Sequence, residues 1–261
     1  MNIQEATEKI KASKKYRHLS LEFIKQKAEE YAGKNKLAEL EEVDLKEIKA
    51  NLHKMHGSFR IGDKKLSQLI SGKDYQKALA SNISTRERLE DYDEIYRKIF
   101  EITGKPKKII DLGCGINPVS IPFMKLNHRE LEYYAYDINE AEILSLNEFF
   151  KLEKINGKAE ILDLAGVENI KKLPSCDVCF MFKLVDVLEE SKKGHKYSEE
   201  IIKILAEKCR FIVASFATRT LGGRKMMFAE RGWIERMLNR IGMKFEKLEF
   251  ENEIFYVVSK K

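Results

Sequence analysis

Apolar residues in roughly the first hundred positions recur at helical spacing, and no run there is typical of a β-strand. Residues three or four positions apart share one face of a helix, so each stripe marks one amphipathic helix. The stripes comprise Ile3, Ala6 and Ile10; Leu21, Ile24, Ala28 and Tyr31; Leu45, Ile48, Leu52 and Met55; and Leu66, Leu69 and Ile70. We predict a domain of short helices over residues 1–80, packed against a second domain, residues 81–261.

Beyond residue 105 short β-type runs alternate with helical segments. The runs span residues 107–113, 131–137, 158–164, 176–182 and 210–216. Such alternation is typical of βαβ units and predicts an α/β fold whose mostly parallel sheet is covered on both faces. After a helix at 229–241, two final runs at 243–250 and 253–260 are separated by a tight turn. They predict a seven-stranded sheet that ends in an antiparallel hairpin.

The run IIDLGCGINP, residues 109–118, predicts a strand that enters a glycine turn and then a helix. Gly113 and Gly115 allow a tight turn and let a ligand approach bare backbone, at the sheet edge where open α/β folds bind ligands. A dinucleotide fingerprint would require glycine where Pro118 stands, and no Walker lysine follows. Instead the turn resembles motif I of class I methyltransferases, with Asn117 in place of a frequent third glycine.

Two carboxylates follow at the ends of the next predicted strands. Asp137 ends the second β-run, where a carboxylate can accept hydrogen bonds from both ribose hydroxyls of a nucleoside. Asp163, at the end of the third run, is placed to accept from an adenine amino group. Each could instead cap a helix. Together with the glycine turn, they favour an adenosyl ligand.

Upstream, the segment Ser84-Thr85-Arg86-Glu87-Arg88 precedes the first strand. Ser84 or Thr85 can cap a helix, with Glu87 as the capping-box partner. A helix cap does not require Arg86 or Arg88. Their guanidinium groups can form paired hydrogen bonds to a carboxylate or a phosphate, so they are candidates for ligand binding.

The net charge of +6 suits a polyanionic partner without requiring one. Basic residues are concentrated in residues 9–18, which contain no acid and include Lys14, Lys15 and Arg17. A helix that carries them could neutralise several phosphates. The alternative is an ordinary solvated helix face.

Other classes of protein are disfavoured. No apolar run approaches the roughly 18 residues that span a bilayer, and the N-terminus lacks an apolar signal core, so we expect a cytoplasmic protein. Cys176 and Cys179 lie in the apolar run SCDVCFMF, where residues three apart should point to opposite faces of a strand. We therefore expect core cysteines and no metal site.

The chain is similar to the Arm/Rmt group of 16S ribosomal RNA guanine-N7 methyltransferases, which confer aminoglycoside resistance. The matching stretches are KIKASKKYRHL, NLHKMHGSF, STRERL, IIDLGCGINPVSI, YAYDINEAEI, FMFKLVDVLEE and FIVASFATRTLGGR. This resemblance implies a class I methyltransferase domain that binds S-adenosylmethionine and yields S-adenosylhomocysteine. It also implies a helical N-terminal domain that docks on the assembled 30S subunit, and a target guanine of the 1405 type. We expect a monomer that binds neither DNA nor membranes.

The resemblance implies Arg88 on the methionine carboxylate, Asp137 on the ribose and Asp163 near the adenine. The cofactor-binding candidates are Ser84, Arg88, Asp111, Gly113, Gly115, Asp137, Ile138, Asp163, Leu164 and Lys183. The RNA-binding candidates are Lys14, Lys15, Arg17, His53, Lys54, Arg219, Arg224 and Lys225.

The chain departs from the group's pattern at several positions. It has Asn82 in place of His, Val185-Asp186 in place of Leu-Pro, Phe216-Ala217 in place of Phe-Pro and Met227-Phe228 in place of Gly-Met. The last two lie in the loop expected to face the substrate, so they bear on the target nucleotide and the resistance phenotype rather than on the cofactor.

Guanine N7 carries a lone pair and no proton, so methylation requires alignment rather than a general base. We expect no catalytic acid–base residues. Phe182 and Phe216 are candidates for an aromatic surface against an extruded target base, although strand-end aromatics are commonly core residues. Arg219, Arg224 and Lys225 are candidates for phosphate contacts or for an ordinary basic loop.

Three alternatives remain at this point. The chain could methylate another ribosomal or transfer RNA base as a housekeeping enzyme. It could be a small-molecule methyltransferase with a helical lid. It could also bind ribosomes with the cofactor fold but no activity.

Overall fold

The computed structural model describes residues 1–56, 63–164, 166–189, 195–220, 224–226 and 231–260. Within these described residues, seven helices precede the first strand. They are α1 (Ile3–Lys11), α2 (Leu21–Asn35), α3 (Glu42–His56), α4 (Asp63–Ser71), α5 (Tyr75–Ala80), α6 (Ile83–Arg88) and α7 (Tyr92–Thr103). The predicted helical stripes therefore form helices. Asn2 begins α1 with a capping box to Glu5, and Ser20 caps α2 by accepting from the Phe23 N–H.

Helices α1 to α3 share an apolar cluster of their own, which also includes Ile138 of the α/β part. Leu66 and Ile70 of α4, and Ala78 and Leu79 of α5, instead belong to the apolar cluster on one face of the sheet. The domain boundary at residue 80 stays a prediction.

The seven-stranded sheet has the order β3-β2-β1-β4-β5-β7-β6. Its strands are β1 (Lys108–Leu112), β2 (Glu132–Asp137), β3 (Asn156–Ile161), β4 (Cys176–Phe182), β5 (Cys209–Ala217), β6 (Met243–Glu249) and β7 (Glu253–Lys260). The first five strands pair in parallel, and β7 pairs antiparallel with both β5 and β6. The predicted fold class, a mostly parallel α/β sheet with a C-terminal antiparallel hairpin, is confirmed.

Helices cover both faces of the sheet, as continuous apolar strands require. One face packs against α4, α5, α7, α8 (Glu140–Leu152) and a 3₁₀ helix, Asn117–Met124. The other packs against α9 (Val167–Lys171), α10 (Val185–Glu189), α11 (Lys196–Lys208) and α12 (Gly232–Arg240). None of the helices in the described ranges is long and apolar enough to cross a membrane.

The cysteines correct one prediction. Cys176 and Cys179 belong to the same apolar cluster as Cys209, and the Cys176 Sγ lies 2.8 Å from the Cys209 Sγ. Strict alternation had placed Cys176 and Cys179 on opposite faces of β4. It does not hold at Cys176, which is the first residue of β4; the next side chain, Asp177, accepts hydrogen bonds from the Lys107 and Lys108 N–H groups. Within the described ranges, no group of three potential ligands could hold a metal ion.

The basic segment also differs from its prediction, because only its first three residues, 9–11, lie on a helix and the rest form turns. Helix α1 ends at Lys11, and residues 12–18 form turns. Lys9 pairs with Glu42, and Lys11 lies 2.7 Å from Glu140. A long helix cannot form here because the chain reverses to enter α2.

Candidate functional site

The glycine turn between β1 and the 3₁₀ helix requires glycine at two positions. Gly113 and Gly115 have φ values of +60° and +48°, the left-handed region that side chains disfavour. A Cβ on Gly113 would also lie 2.6 Å from the Leu184 Cδ1. The turn therefore keeps its backbone bare where it faces the carboxyl edge of the sheet.

Asp111 lies at the base of this turn with its side chain only 1% exposed. Its Oδ2 accepts hydrogen bonds from the Asn117 Nδ2 at 2.9 Å and the Tyr133 hydroxyl at 2.7 Å. Its buried Oδ1 has no hydrogen-bond partner among the described residues. Burial raises the pKa of the Asp111 carboxyl to about 6, against the two hydrogen bonds, which lower it. Asp111 lines the cleft, so a hydrogen-bond donor on a bound ligand could bond to its Oδ1.

Asp137 ends β2 beside the turn. Its Oδ2 accepts from the Gly115 N–H at 2.9 Å, and its Oδ1 accepts from the N–H groups of Ile138 and Asn139 at 2.7 and 3.1 Å. These three backbone donors hold the carboxylate in one orientation. Carboxylate oxygens carry further lone pairs, so Asp137 can still accept from a diol.

Asp163 lies two residues beyond the end of β3, not within the strand as predicted. Asn169 donates to its carbonyl oxygen at 2.8 Å, which anchors this loop to α9. Around it is an apolar hollow of about 420 Å³ that continues from the glycine turn. The lining residues are Phe23, Gly113, Asp137, Ile138, Leu162, Asp163, Leu164, Leu184, Val187 and Leu188.

Arg88 ends α6 and is 3% exposed. Its Nε lies 2.9 Å from Glu253 Oε2, and its Nη1 donates to Asn117 Oδ1 at 3.2 Å. Glu253, the first residue of β7, also accepts from the Ser215 hydroxyl and lies 3.4 Å from the Lys183 Nζ. Burial opposes ionisation of Glu253, but Arg88 and Lys183 outweigh it and lower its pKa. Glu253 therefore stays a carboxylate and holds two cations at the cleft.

Sequence reasoning missed Glu253, and also assigned the cap of α6 to Ser84 or Thr85. The cap is Asn82, whose Oδ1 accepts from the Ser84 N–H at 3.0 Å. Thr85 donates instead to the Leu79 carbonyl. Asn82 precedes the helix by one residue and has extended backbone, the conformation that an N-cap adopts. Glu87, the expected capping partner, pairs with Lys183.

The predicted cofactor residues come together in one continuous cleft. Ser84, Arg88, Asp111, Gly113, Gly115, Asp137 and Lys183 line a larger part of about 880 Å³. Ile138, Asp163 and Leu164 line the apolar hollow, which shares Gly113 and Asp137 with the larger part. The cleft thus has a charged end at Arg88 and Lys183, a hydrogen-bond acceptor for a diol at Asp137, and an apolar end at Leu164.

The two aromatic candidates differ in position. Phe182 lines the cleft, stacks on Phe180 at 4.7 Å between ring centroids, and lies 4.9 Å from the Arg88 guanidinium. Phe216 is 1% exposed and packs edge-on against Trp233 and Tyr256 in the core. As placed here, Phe216 presents no ring face to a base.

The basic candidates are spread over the surface. Lys14, Lys15, Arg17 and His53 are exposed, and the Lys54 side chain lies outside the described part of the chain. Arg224 and Lys225 are exposed, and Arg219 pairs with Glu251 at 2.5 Å. Backbone bonding joins Arg219 to Lys225 and closes the base of the loop. Met227 and Phe228, of the altered substrate loop, are outside the described residues.

Comparison with known proteins covers nearly the whole chain. The family model described as "Ribosomal RNA methyltransferase (FmrO)" matches residues 12–257. A 16S rRNA (guanine(1405)-N(7))-methyltransferase of Proteus mirabilis is 28% identical over 99% of this chain and 97% of its own. The solved 16S rRNA methylase RmtB has a TM-score of 0.82 and 23% identity, over 100% of this chain and 99% of its own. The 16S rRNA methyltransferase RmtF, solved with S-adenosyl-L-homocysteine, has a TM-score of 0.82 and 24% identity over both full chains.

Proposed function

The chain belongs to the FmrO family of ribosomal RNA methyltransferases, and from this premise we propose that it methylates N7 of the guanine equivalent to position 1405 of 16S rRNA. The methyl donor is S-adenosylmethionine, and the substrate is the assembled 30S subunit. The single observation that carries the proposal is the match of nearly the whole chain to relatives with this activity, N-terminal helices included. A small-molecule methyltransferase with a helical lid would share the α/β domain, but it would not account for the match to these relatives over the N-terminal helices.

The cleft fits the proposed cofactor in its chemistry. The buried Oδ1 of Asp111 and the guanidinium of Arg88 lie at the charged end, where a methionine group carries an ammonium and a carboxylate. Asp137 is oriented to accept from the ribose hydroxyls. The apolar hollow with Asp163 at its rim suits an adenine ring and its amino group.

The bound cofactor supplies an electrophilic methyl group on a sulfonium. Guanine N7 would attack this methyl carbon with its own lone pair as the carbon–sulfur bond breaks and S-adenosylhomocysteine leaves, so the chain has to exclude water and align the two reactants. Phe182 lines the cleft beside Arg88, but it is only 7% exposed and stacks on Phe180, so we propose it as part of the cleft wall behind the two reactants. The exposed Lys14, Lys15 and Arg17 are proposed phosphate contacts that position the particle.

Methyl transfer to purified particles tests this proposal. The protein is incubated with tritiated S-adenosylmethionine and either 30S subunits, naked 16S rRNA or 50S subunits. We expect label in 30S subunits alone, at one guanine that becomes sensitive to borohydride and aniline cleavage. Label at another base would indicate a housekeeping target, and no label in any RNA would contradict the proposal. With the expected target, expression in a sensitive bacterium should also raise aminoglycoside resistance.

A further inference from the structure

The apolar end of the cleft is built from two parts of the chain that are far apart in sequence. Leu162, Leu164 and Leu188 belong to the α/β part, whereas Phe23 belongs to α2 in the N-terminal helices. Phe23 is 2% exposed, and Ser20 Oγ accepts from its N–H at 3.2 Å. The helix cap therefore fixes the position of this ring against the hollow.

The chain just before Phe23 is fastened to the strand end that carries Asp137. The Glu140 N–H donates to the His18 carbonyl at 2.9 Å, and the Ser20 N–H donates to the Ile138 carbonyl at 3.2 Å. Leu19 and Asn139 form an antiparallel bridge between these two bonds. The short segment Ile138–Glu140 thus supports the Asp137 carboxylate on one side and the N-terminal helices on the other.

A purine ring needs apolar walls on both faces and a polar contact at its edge. Asp163 lies at the edge of the hollow, and aliphatic side chains from the loop after β3 and from α10 form much of its lining. Phe23 is the aromatic residue that lines this hollow among the described residues. Aromatic rings contribute more than their area to such contacts when they stack or meet edge to face.

We propose that Phe23 contacts the adenine ring of the bound cofactor, so that the cofactor joins the N-terminal helices to the α/β domain. This inference rests on the proposed function, because it takes S-adenosylmethionine as the ligand. It makes the N-terminal helices part of the cofactor site as well as a docking element. Ligand binding therefore stabilises α2 and slows exchange of its amide hydrogens.

Calorimetric titration with S-adenosylhomocysteine tests the inference on the full-length protein. Phe23→Ala should weaken binding about tenfold, the loss of one well-placed aromatic contact. Phe23→Leu keeps an apolar side chain in place and should weaken binding about threefold. Its affinity can still be measured if the alanine variant does not fold. Leu45→Ala is the matched control, because Leu45 is 1% exposed in the same cluster as Phe23 but does not line the hollow. It should lower the melting temperature and leave affinity within about twofold.

Hydrogen exchange with and without S-adenosylhomocysteine gives the second readout. We expect the ligand to slow exchange in α2 of the wild type and of Leu45→Ala, but much less in Phe23→Ala. Wild-type affinity in both Phe23 variants, or an equal loss in Leu45→Ala, would overturn the inference. Asp137→Ala distinguishes a failure of the Phe23 contact from a failure of the proposed cofactor site. If that variant still binds S-adenosylhomocysteine, the proposed cofactor site itself is wrong.

Discussion

Arg88 and Glu253 stand 165 residues apart in sequence, and their side chains form an ion pair of 2.9 Å that is almost wholly buried. Arg88 is the last residue of α6, and Glu253 is the first residue of β7. Burying such a pair is costly and adds little to stability, although removing one partner is strongly destabilising. Its position in the cleft gives a reason for it, since Glu253 orients the guanidinium that we propose binds the methionine carboxylate of the cofactor.

Glu253→Ala should leave Arg88 and Lys183 without their shared counter-charge. We expect the KM for S-adenosylmethionine to rise at least tenfold while kcat changes much less, because the lesion lies in cofactor positioning rather than in methyl transfer. Unfolding should be easier by about 3–5 kcal/mol, the usual effect of leaving a buried charge unpaired. Initial-rate kinetics and denaturant titration measure both quantities.

The control for this variant is Glu249→Ala, which removes an exposed carboxylate that pairs with Lys247 on the same hairpin. It should behave as wild type in both measurements. A rise in KM that is equal in the two variants would mean that the hairpin, and not the Arg88 contact, sets cofactor affinity.

Asp111→Asn should stabilise the ligand-free protein at neutral pH. The folded-state pKa of Asp111, about 6, is above its ordinary value of 3.8, so the folded protein binds the extra proton more tightly. Stability therefore falls as pH rises from about 4 to about 6, and the full cost of about 3 kcal/mol is present above that range. Unfolding at pH 4 and pH 8 should show the variant gaining stability over wild type only at the higher pH.

The same substitution should weaken S-adenosylhomocysteine binding, because the charged acceptor for the ligand's ammonium is lost. Wild-type affinity should rise with pH through pH 6 as Asp111 ionises, and the variant should lose that rise. Asp93→Asn, at an exposed carboxylate of α7, is the control and should keep the wild-type profile. An unchanged profile in Asp111→Asn would remove Asp111 from the cofactor site.

Asp137→Ala should abolish measurable S-adenosylhomocysteine binding while the protein keeps its fold. The variant loses the proposed acceptor for the ribose hydroxyls and three backbone hydrogen bonds that shape the turn. Asp137→Asn keeps one acceptor oxygen and should bind weakly. Calorimetry gives the affinities, and circular dichroism checks that the sheet is intact. Comparable affinity in wild type and Asp137→Ala would be incompatible with the ribose contact.

Neutralising Lys14, Lys15 and Arg17 together should weaken 30S binding and lower the steepness of its salt dependence by about two to three units. All three side chains are exposed on the turn between α1 and α2. Filter binding over a range of salt concentrations measures the slope. The control neutralises the exposed Lys105, Lys107 and Arg210, at the opposite edge of the sheet, and should change the slope far less. Equal effects would indicate a response to net charge alone.

The elements of the α/β domain could be predicted because their signals are local. Most strands appear as apolar runs, and Gly113 and Asp137 lie at strand ends that parallel pairing brings to one edge. Glu253 could not be found this way, because its approach to Arg88 depends on β7 entering between β5 and β6. Phe23 looks like any core residue of an amphipathic helix, and only the docking of α2 on Ile138 places it at the cleft. The turn at residues 12–18 was missed because charge patterning does not distinguish helices from loops.

The most direct test of the account is an experimental structure of the protein with S-adenosylhomocysteine. We expect the ribose hydroxyls on Asp137, the adenine between Leu164 and Phe23 with its amino group toward Asp163, and the carboxylate on Arg88. A nucleoside bound away from Gly113 and Asp137 would contradict the cofactor site from which the proposed methylation follows.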